Sequence, residues 1–466
     1  MGSITHVSWV RPSHLLGGIG TTGPDEDEFT LGARALEIVL GDGLPSETPS
    51  RLRRVHLVGR FPPVAEWGFS ELVGNEGLEV LRHPLGWEGL WEGFVAAANE
   101  TGEDRWSAVI AADLAARSDG VSPSDAPRWG AVGAAVLLSE NPGLIPLGSA
   151  HTDRSPLSPG MRGAGSVGIS KILGAPSDSG PSTVLELAEE PGTLPPTAGA
   201  PEAVAPESSE HIPQLGLPPS ASALWFLRNL DRRLGARRHG ALLSAERDAW
   251  LVLGVRKEGS VRWLGDWERR SVPPISIDSA HAALAGSIPV NNVSEGAYVP
   301  RPRYLENLPS RWRFEADRCR VCRGVTFPVA TSCRHCGKSE GLDRMRLPQD
   351  HLRVLAKTVV RPGGQPTEFD AQVAIEGSYA VVIAELRPEI RVTLQVTDID
   401  PEIIRIGGFI DTRLRRLYPM EGEWRYGRKA VPAAVEDAER TRDTAASVPS
   451  PRRPRSKATG RSKARS

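Results

Sequence analysis

At 466 residues the chain has room for two to four domains, since domains run roughly 100–200 residues. With 56 Lys+Arg against 57 Asp+Glu the formal net charge is −1, so no global field draws it toward polyanions or lipid. A hydrophobic share of 39%, beside Gly 48 and Pro 40, is low for a uniformly compact chain and leaves room for loops between folded cores.

Met1–Val10 shows no basic stretch followed by an apolar one, and the longest apolar run, Ala131–Leu138, falls far short of the roughly 20 residues a membrane span requires. The chain is therefore expected to be soluble and cytoplasmic, with no membrane partner. From Thr30 to Leu40 the apolar positions Leu31, Ala35, Ile38 and Val39 follow helical spacing, with acids from Asp25 to Glu28 ahead and Gly41 behind. Val55–Gly59 reads as a short strand, Leu90, Phe94 and Ala98 as one face of a helix, and Ala108–Ala112 and Ala131–Leu138 as further strands. This alternation predicts a layered α/β region with a mostly parallel sheet. Residues 174–220 hold ten prolines and seven acids without a Lys or Arg, the composition of a flexible acidic excursion. Ser220 can then cap a helix carrying Leu224, Leu227, Leu230 and Leu234, and Trp250–Val255 reads as a strand. Tyr298–Tyr304, with two prolines, is expected to be extended. From Leu352 to Tyr426 short alternating runs separated by Gly and Pro signals predict about five strands in a small barrel. Residues 433–466 lack periodicity and carry seven basic residues after position 451, which reads as a disordered tail.

All four cysteines fall in Cys319-x2-Cys322-x10-Cys333-x2-Cys336. Two thiolate pairs on tight knuckles can close a tetrahedron around zinc, and four thiolates leave no open position, so the expected zinc is structural and one per chain. Residues 311–346 carry nine Lys/Arg against four acids, whereas 346–429 carry 13 against 12. A ribbon this basic beside a balanced barrel gives a phosphate-sized patch, formed by Arg318, Arg320, Arg323 and Arg334, and lacks the continuous track that single-stranded nucleic acid follows. Such a patch could meet the phosphates of a nucleotide-bearing cofactor as well as a nucleic-acid backbone, with Phe327 as an apolar wall for an adenine, and an ordinary solvated face is the other reading. A single-stranded nucleic-acid binder is the disfavoured alternative. His83, His239 and His281 are candidate remnants of an acid/base set, and Asp113 and Asp119 are weaker carboxylate candidates. No phosphate-loop, dinucleotide-binding or hydrolase-elbow pattern occurs.

Arg318-Cys-Arg-Val-Cys-Arg-Gly-Val-Thr-Phe-Pro328, Cys333-Arg-His-Cys-Gly337, Leu394-Gln-Val-Thr-Asp-Ile-Asp400 and Ile406-Gly407 together resemble the rubredoxin-like zinc-ribbon/OB-fold family associated with acyl-CoA enzymes. Asp25-Glu-Asp-Glu-Phe-Thr-Leu31, Ala108-Val-Ile-Ala-Ala-Asp113 and Trp129-Gly-Ala-Val-Gly-Ala-Ala-Val-Leu-Leu138 resemble the thiolase-like superfamily, in its hydroxymethylglutaryl-CoA synthase and ketoacyl synthase III branch. The resemblance implies a thiolase-like α/β layered region at 1–290 with its excursion at 174–220, a linker at 291–310, a zinc ribbon at 311–345, an all-β OB-fold barrel at 346–430 and a free tail at 431–466. It also implies an oligomer, and a module that holds CoA or bridges to a thiolase or hydroxymethylglutaryl-CoA synthase partner. The Cys nucleophile of that superfamily has no counterpart, because no Cys precedes Cys319 and the expected position falls near Gly86. A non-catalytic subunit is the leading expectation; an acyltransferase working without Cys is the alternative.

Overall fold

The computed structural model describes residues 2–10, 26–41, 48–59, 61–84, 87–113, 132–153, 183–187, 239–246, 249–265, 300–365, 378–397, 400–420 and 423–433, with isolated positions between them, among them 44, 369 and parts of 224–234. Gly86, Asp119, Ser220, His281, most of the acidic excursion and the tail beyond 433 lie outside the described residues.

The first region is built on one ten-stranded sheet. In chain order its elements are β1 (Ser3–Val10), α1 (Glu28–Gly41), α2 (Thr48–Arg51), β2 (Leu52–Gly59), α3 (Ala65–Val73), β3 (Glu79–His83), α4 (Trp87–Glu100), β4 (Trp106–Asp113), β5 (Val132–Ser139), β6 (Leu144–Asp153), β7 (Thr183–Leu187), β8 (His239–Glu246), β9 (Ala249–Lys257) and β10 (Arg262–Gly265). The strand order is β3-β2-β4-β5-β1-β6-β9-β8-β7, with β10 beside β1. Side chains of β4 alternate between two cores. Ala108, Ile110 and Ala112 pack with α1 and α3, while Val109 and Ala111 pack with Leu90, Trp91 and Phe94 of α4. Leu224, Leu227, Leu230 and Leu234 join the α4 side as the expected apolar face. The sheet is thus covered on both sides, an α/β layered region.

Three expectations change. The sheet is mixed and not mostly parallel: β2 pairs in parallel with β3 and β4, but β4–β5, β5–β1, β6–β9 and β8–β9 are antiparallel. The link from β8 to β9 is too short to carry the crossover that a parallel pair needs. A strand, β7, lies inside the stretch read as a flexible excursion and pairs in parallel with β8. Tyr298–Tyr304 is not extended throughout, because a helix, α5 (Arg301–Glu306), begins after the extended Pro300 and holds its second proline in the first turn, where no amide donor is needed.

After α5, a second short helix, α6 (Leu308–Trp312), leads into a three-stranded ribbon of β11 (Glu315–Cys319), β12 (Val325–Thr326) and β13 (Leu342–Arg346), ordered β12-β11-β13. The last five strands are β14 (Leu352–Val360), β15 (Tyr379–Arg387), β16 (Ile390–Gln395), β17 (Phe409–Met420) and β18 (Glu423–Pro432). They form an antiparallel sheet in the order β16-β15-β14-β17-β18. Just past β16, Val396 bridges Ala430 of β18, and the Thr397 amide donates to the Ala430 carbonyl at 2.9 Å, so the sheet curls into a nearly closed barrel. Leu352, Val354, Val382, Ala384, Leu394 and Ile410 fill it.

Candidate functional site

Each cysteine pair sits on a tight turn closed by a backbone hydrogen bond. The Arg323 amide donates to Cys319 O at 2.9 Å, and the Gly337 amide donates to Cys333 O at 2.8 Å. Both closing residues are left-handed, Gly337 at φ +73° and Arg323 at φ +62°. Glycine takes that conformation freely, whereas an arginine there carries roughly 1–2 kcal/mol of strain. Gly324 is required for a different reason, since a Cβ there would stand 2.5 Å from the His335 ring. That ring, itself on an exposed residue, donates from Nε2 to Val325 O at 3.1 Å.

The four sulfurs lie within 4.8 Å of one another, with Cys319 Sγ 3.7 Å from Cys336 Sγ and Cys322 Sγ 3.5 Å from Cys333 Sγ. A disulfide would need about 2.05 Å. A tetrahedron with Zn–S bonds of about 2.3 Å has edges near 3.8 Å, so these side chains fit a four-thiolate zinc site. The His335 amide donates to Cys333 Sγ at 3.4 Å and, as the leading cause, brings the Cys333 thiol down to about 6, the direction a metal-binding thiolate needs. With all four positions taken by sulfur, such a metal would build the fold and would have no place for a substrate.

The expected phosphate residues are all on this ribbon and solvent-exposed. Arg320 is already engaged by Asp343, at 2.8 Å from Nε and 2.5 Å from Nη2. Arg318, Arg323 and Arg334 project from β11 and the two knuckles, and Phe327, half-buried, packs edge-on against Phe314 at 6.2 Å.

What sequence reasoning missed is the seam that fastens the C-terminal half to the α/β region. Asp27 caps α1, accepting from the Thr30 amide at 2.9 Å while Thr30 Oγ1 accepts from the Asp27 amide at 2.8 Å. The second carboxylate oxygen of Asp27 accepts from Tyr426 Oη at 2.7 Å. Its neighbour Glu26 pairs with Arg415 at 2.8 Å, both side chains fully buried, and the Glu26 carbonyl accepts from Arg416 at 3.0 Å. Trp312 fills the centre, stacked on Trp67 at 5.7 Å, close to Phe29 at 5.8 Å, and donating from Nε1 to Tyr426 O at 2.9 Å. Burial raises Tyr304 to about 12, so it stays a neutral phenol, and its hydroxyl accepts from the Tyr426 amide at 2.9 Å. Two of the acids quoted for the thiolase-like resemblance, Glu26 and Asp27, therefore anchor the barrel's Arg415, Arg416 and Tyr426.

On the far edge of the sheet, His83 belongs to a hydrogen-bonded chain. His56 Nδ1 lies 3.0 Å from His83 Nε2, and His56 Nε2 lies 3.2 Å from Glu100. Burial brings His56 down to about 4 and lowers His83, so both rings are neutral at pH 7.

No family model matches the chain. Over 121 residues it is 29% identical to a DUF35 domain-containing scaffold protein of Methanothermobacter thermautotrophicus, a match covering 26% of this chain and 85% of the relative. A protein of the same description from Methanocaldococcus jannaschii is 27% identical over 115 residues, covering 25% of this chain and 77% of the relative. Among solved structures, PksG, a hydroxymethylglutaryl-CoA synthase from Bacillus subtilis, aligns over 65% of this chain and 93% of its own at 14% identity and a TM-score of 0.42. The Ltp2-ChsH2(DUF35) aldolase aligns over 30% of this chain and 99% of its own at 21% identity and a TM-score of 0.22. Among the described residues no helix is long and apolar enough to cross a membrane.

Proposed function

We propose that the chain is a non-catalytic acyl-CoA-handling subunit, in which the ribbon and barrel hold CoA or bridge to a thiolase- or hydroxymethylglutaryl-CoA synthase-type partner. The observation that carries this reading is the similarity to proteins described as DUF35 domain-containing scaffold proteins, over a length comparable to ribbon and barrel together. The absence of any Cys before Cys319 supports it, because covalent acyl transfer of the kind the sequence resemblance implies would have no thiolate to carry the acyl group. Arg323 supports it as well: a side chain is kept in a left-handed position whose counterpart in the second knuckle is glycine. In this reading Arg323, Arg318 and Arg334 pair with CoA phosphates, Arg320 does so only by sharing with Asp343, and the adenine lies against Phe327.

One observation favours a second reading. Phe409, 39% exposed, stacks on His351 with ring centroids 4.0 Å apart, a platform on which a base of single-stranded nucleic acid could lie. Calorimetry of the zinc-loaded chain with CoA and acetyl-CoA, beside a single-stranded oligonucleotide, separates the two. The first reading predicts saturable CoA binding that Arg323→Ala weakens. Oligonucleotide binding with a steep salt dependence, without CoA binding, would replace it with the second.

A further inference from the structure

Where the α/β region meets the C-terminal half, a cleft of about 580 Å³ opens. That lies within the roughly 300–1,000 Å³ typical of small-molecule sites. Five arginines line it: Arg34 of α1, Arg313 just after α6, Arg346 closing β13, Arg413 of β17 and Arg428 of β18. Among the described residues two carboxylates, Glu37 and Asp350, line it with them, and Ile38, Leu72 and Leu264 add apolar wall.

The arginines divide by task. Arg428 is held by the Trp312 carbonyl at 2.6 Å and by Glu37, and Arg313 by Glu315 at 2.7 Å and the Glu71 carbonyl; both are over 90% buried and belong to the seam. Arg346 is different. Its side chain is 51% exposed, its Nη2 donates to Val73 O at 3.0 Å, and its nearest carboxylate, Glu315, stands 3.9 Å away and is already shared by Arg313 and Arg344. Arg346 and Arg313 also converge on one point, since a Cβ at Gly74 would lie 3.3 Å from Arg346 Nη2 and 3.4 Å from Arg313 Nε. Of the two, Arg313 pairs with Glu315 and has the Glu71 carboxylate at 3.4 Å, so the incomplete neutralisation lies at Arg346, whose carboxylate at 3.9 Å is shared, and an anion would complete it. The Arg346 pKa is lowered first by partial burial and only then by Arg313, the second cause reflecting how close the two guanidinium groups stand. Arg413, 26% exposed, pairs with Asp350 at 2.6 Å and with Asp411 at 3.6 Å on the barrel side of the cleft.

We infer that this cleft binds a phosphate-bearing small molecule, with Arg346 and Arg413 as the guanidinium groups that reach its phosphate oxygens. The geometry of an arginine fork suits two phosphate oxygens at once, and the volume accommodates more than a bare ion. Because its walls come from both halves, occupancy would tie the halves together and raise the stability of the seam with ligand concentration. The inference does not depend on CoA binding at the ribbon, which uses Arg318, Arg323 and Arg334.

The test is calorimetry of the full zinc-loaded chain with inorganic pyrophosphate, then with adenosine diphosphate and ribose 5-phosphate. Wild type should bind pyrophosphate. Arg346→Gln and Arg413→Gln should each weaken it by about tenfold or more, as expected for losing a charge-assisted hydrogen bond, while Arg387→Gln, at an exposed arginine of β15 outside the cleft, should leave it unchanged. Tighter binding of adenosine diphosphate than of ribose 5-phosphate would assign a nucleotide, and the reverse a sugar phosphate. Circular dichroism and the far-side Arg413→Gln variant guard against a folding defect at Arg346. Absence of pyrophosphate binding to wild type, or binding that Arg346→Gln and Arg413→Gln both leave unchanged, would overturn the inference, whereas failure of CoA to bind the ribbon would leave it standing.

Discussion

Replacing Arg415 by Met removes one member of a fully buried ion pair and takes from Glu26, beneath the barrel, the guanidinium 2.8 Å from its carboxylate. Breaking a buried pair from one side costs roughly 3–5 kcal/mol, because the remaining charge keeps its desolvation penalty. Arg416 still holds the Glu26 carbonyl at 3.0 Å, so the backbone keeps the carboxylate in place after its partner is gone. Glu26→Leu should cost about as much, and the double variant should recover most of the loss, so the coupling should be at least as large as one single cost, about 3 kcal/mol or more. The assay is urea unfolding followed by tryptophan fluorescence, since Trp312 and Trp67 sit in the same seam. Two-region chains need not unfold in one step, so the shape of the transition carries information as well. Wild type should show a shared transition, and Arg415→Met should split it as the ribbon-and-barrel half lets go of α1. Single-variant effects below about 1 kcal/mol, or strict additivity, would refute the idea that this pair holds the halves together.

Replacing Cys322 or Cys333 by Ser should release one zinc per chain, counted by elemental analysis, and lower the melting of the C-terminal half; a metal-free wild type would contradict this. Arg323→Gly should stabilise the ribbon by about 1 kcal/mol through relief of the left-handed arginine while weakening CoA binding, and a loss of stability would show that the conformation is not strained. His56 titrates near 4 when folded against 6.5 when unfolded, so the unfolded chain takes up the proton first. Its contribution, at most about 3 kcal/mol, should be complete above pH 6.5 and fade as the pH falls from 6.5 toward 4. His56→Gln should flatten that slope in pH-dependent urea melts; an unchanged slope would assign it elsewhere. Trp312→Ala, which empties the space between Phe29, Trp67 and Tyr426, should cost about 3–5 kcal/mol in the same melts, and a cost under 1 kcal/mol would mean the seam is not packed there.

The parts of this molecule that were readable in its sequence are those whose cause is local. The metal centre was legible because four ligands within 18 residues can meet only one another. The helix α1, the strands β4 and β5 and the barrel's turns announced themselves by periodicity and by Gly or Pro punctuation. The strand β1 did not. It lies between β5 and β6, buried on both faces, and its Ser3, Thr5, His6 and Ser8 are polar yet satisfied inside, as when Ser8 Oγ donates to Ala35 O at 2.6 Å. The seam was illegible for another reason. An acid-rich start of α1 reads as capping, and Arg413-Leu-Arg-Arg416 reads as a charged strand; nothing in either says that residues 390 apart form hydrogen bonds out of water. The arginine cleft depends on that seam and was hidden with it.

The function proposed above has this chain handle acyl-CoA without covalent acyl chemistry of its own. It is tested most directly by incubating the isolated, zinc-loaded chain with radiolabelled acetyl-CoA and an acceptor acyl-CoA, following both release of free CoA and label on the protein. The account predicts reversible binding of acetyl-CoA, with no label retained after denaturation and no release of CoA above buffer. A stoichiometric covalent acetyl adduct, or turnover by the chain alone, would contradict it.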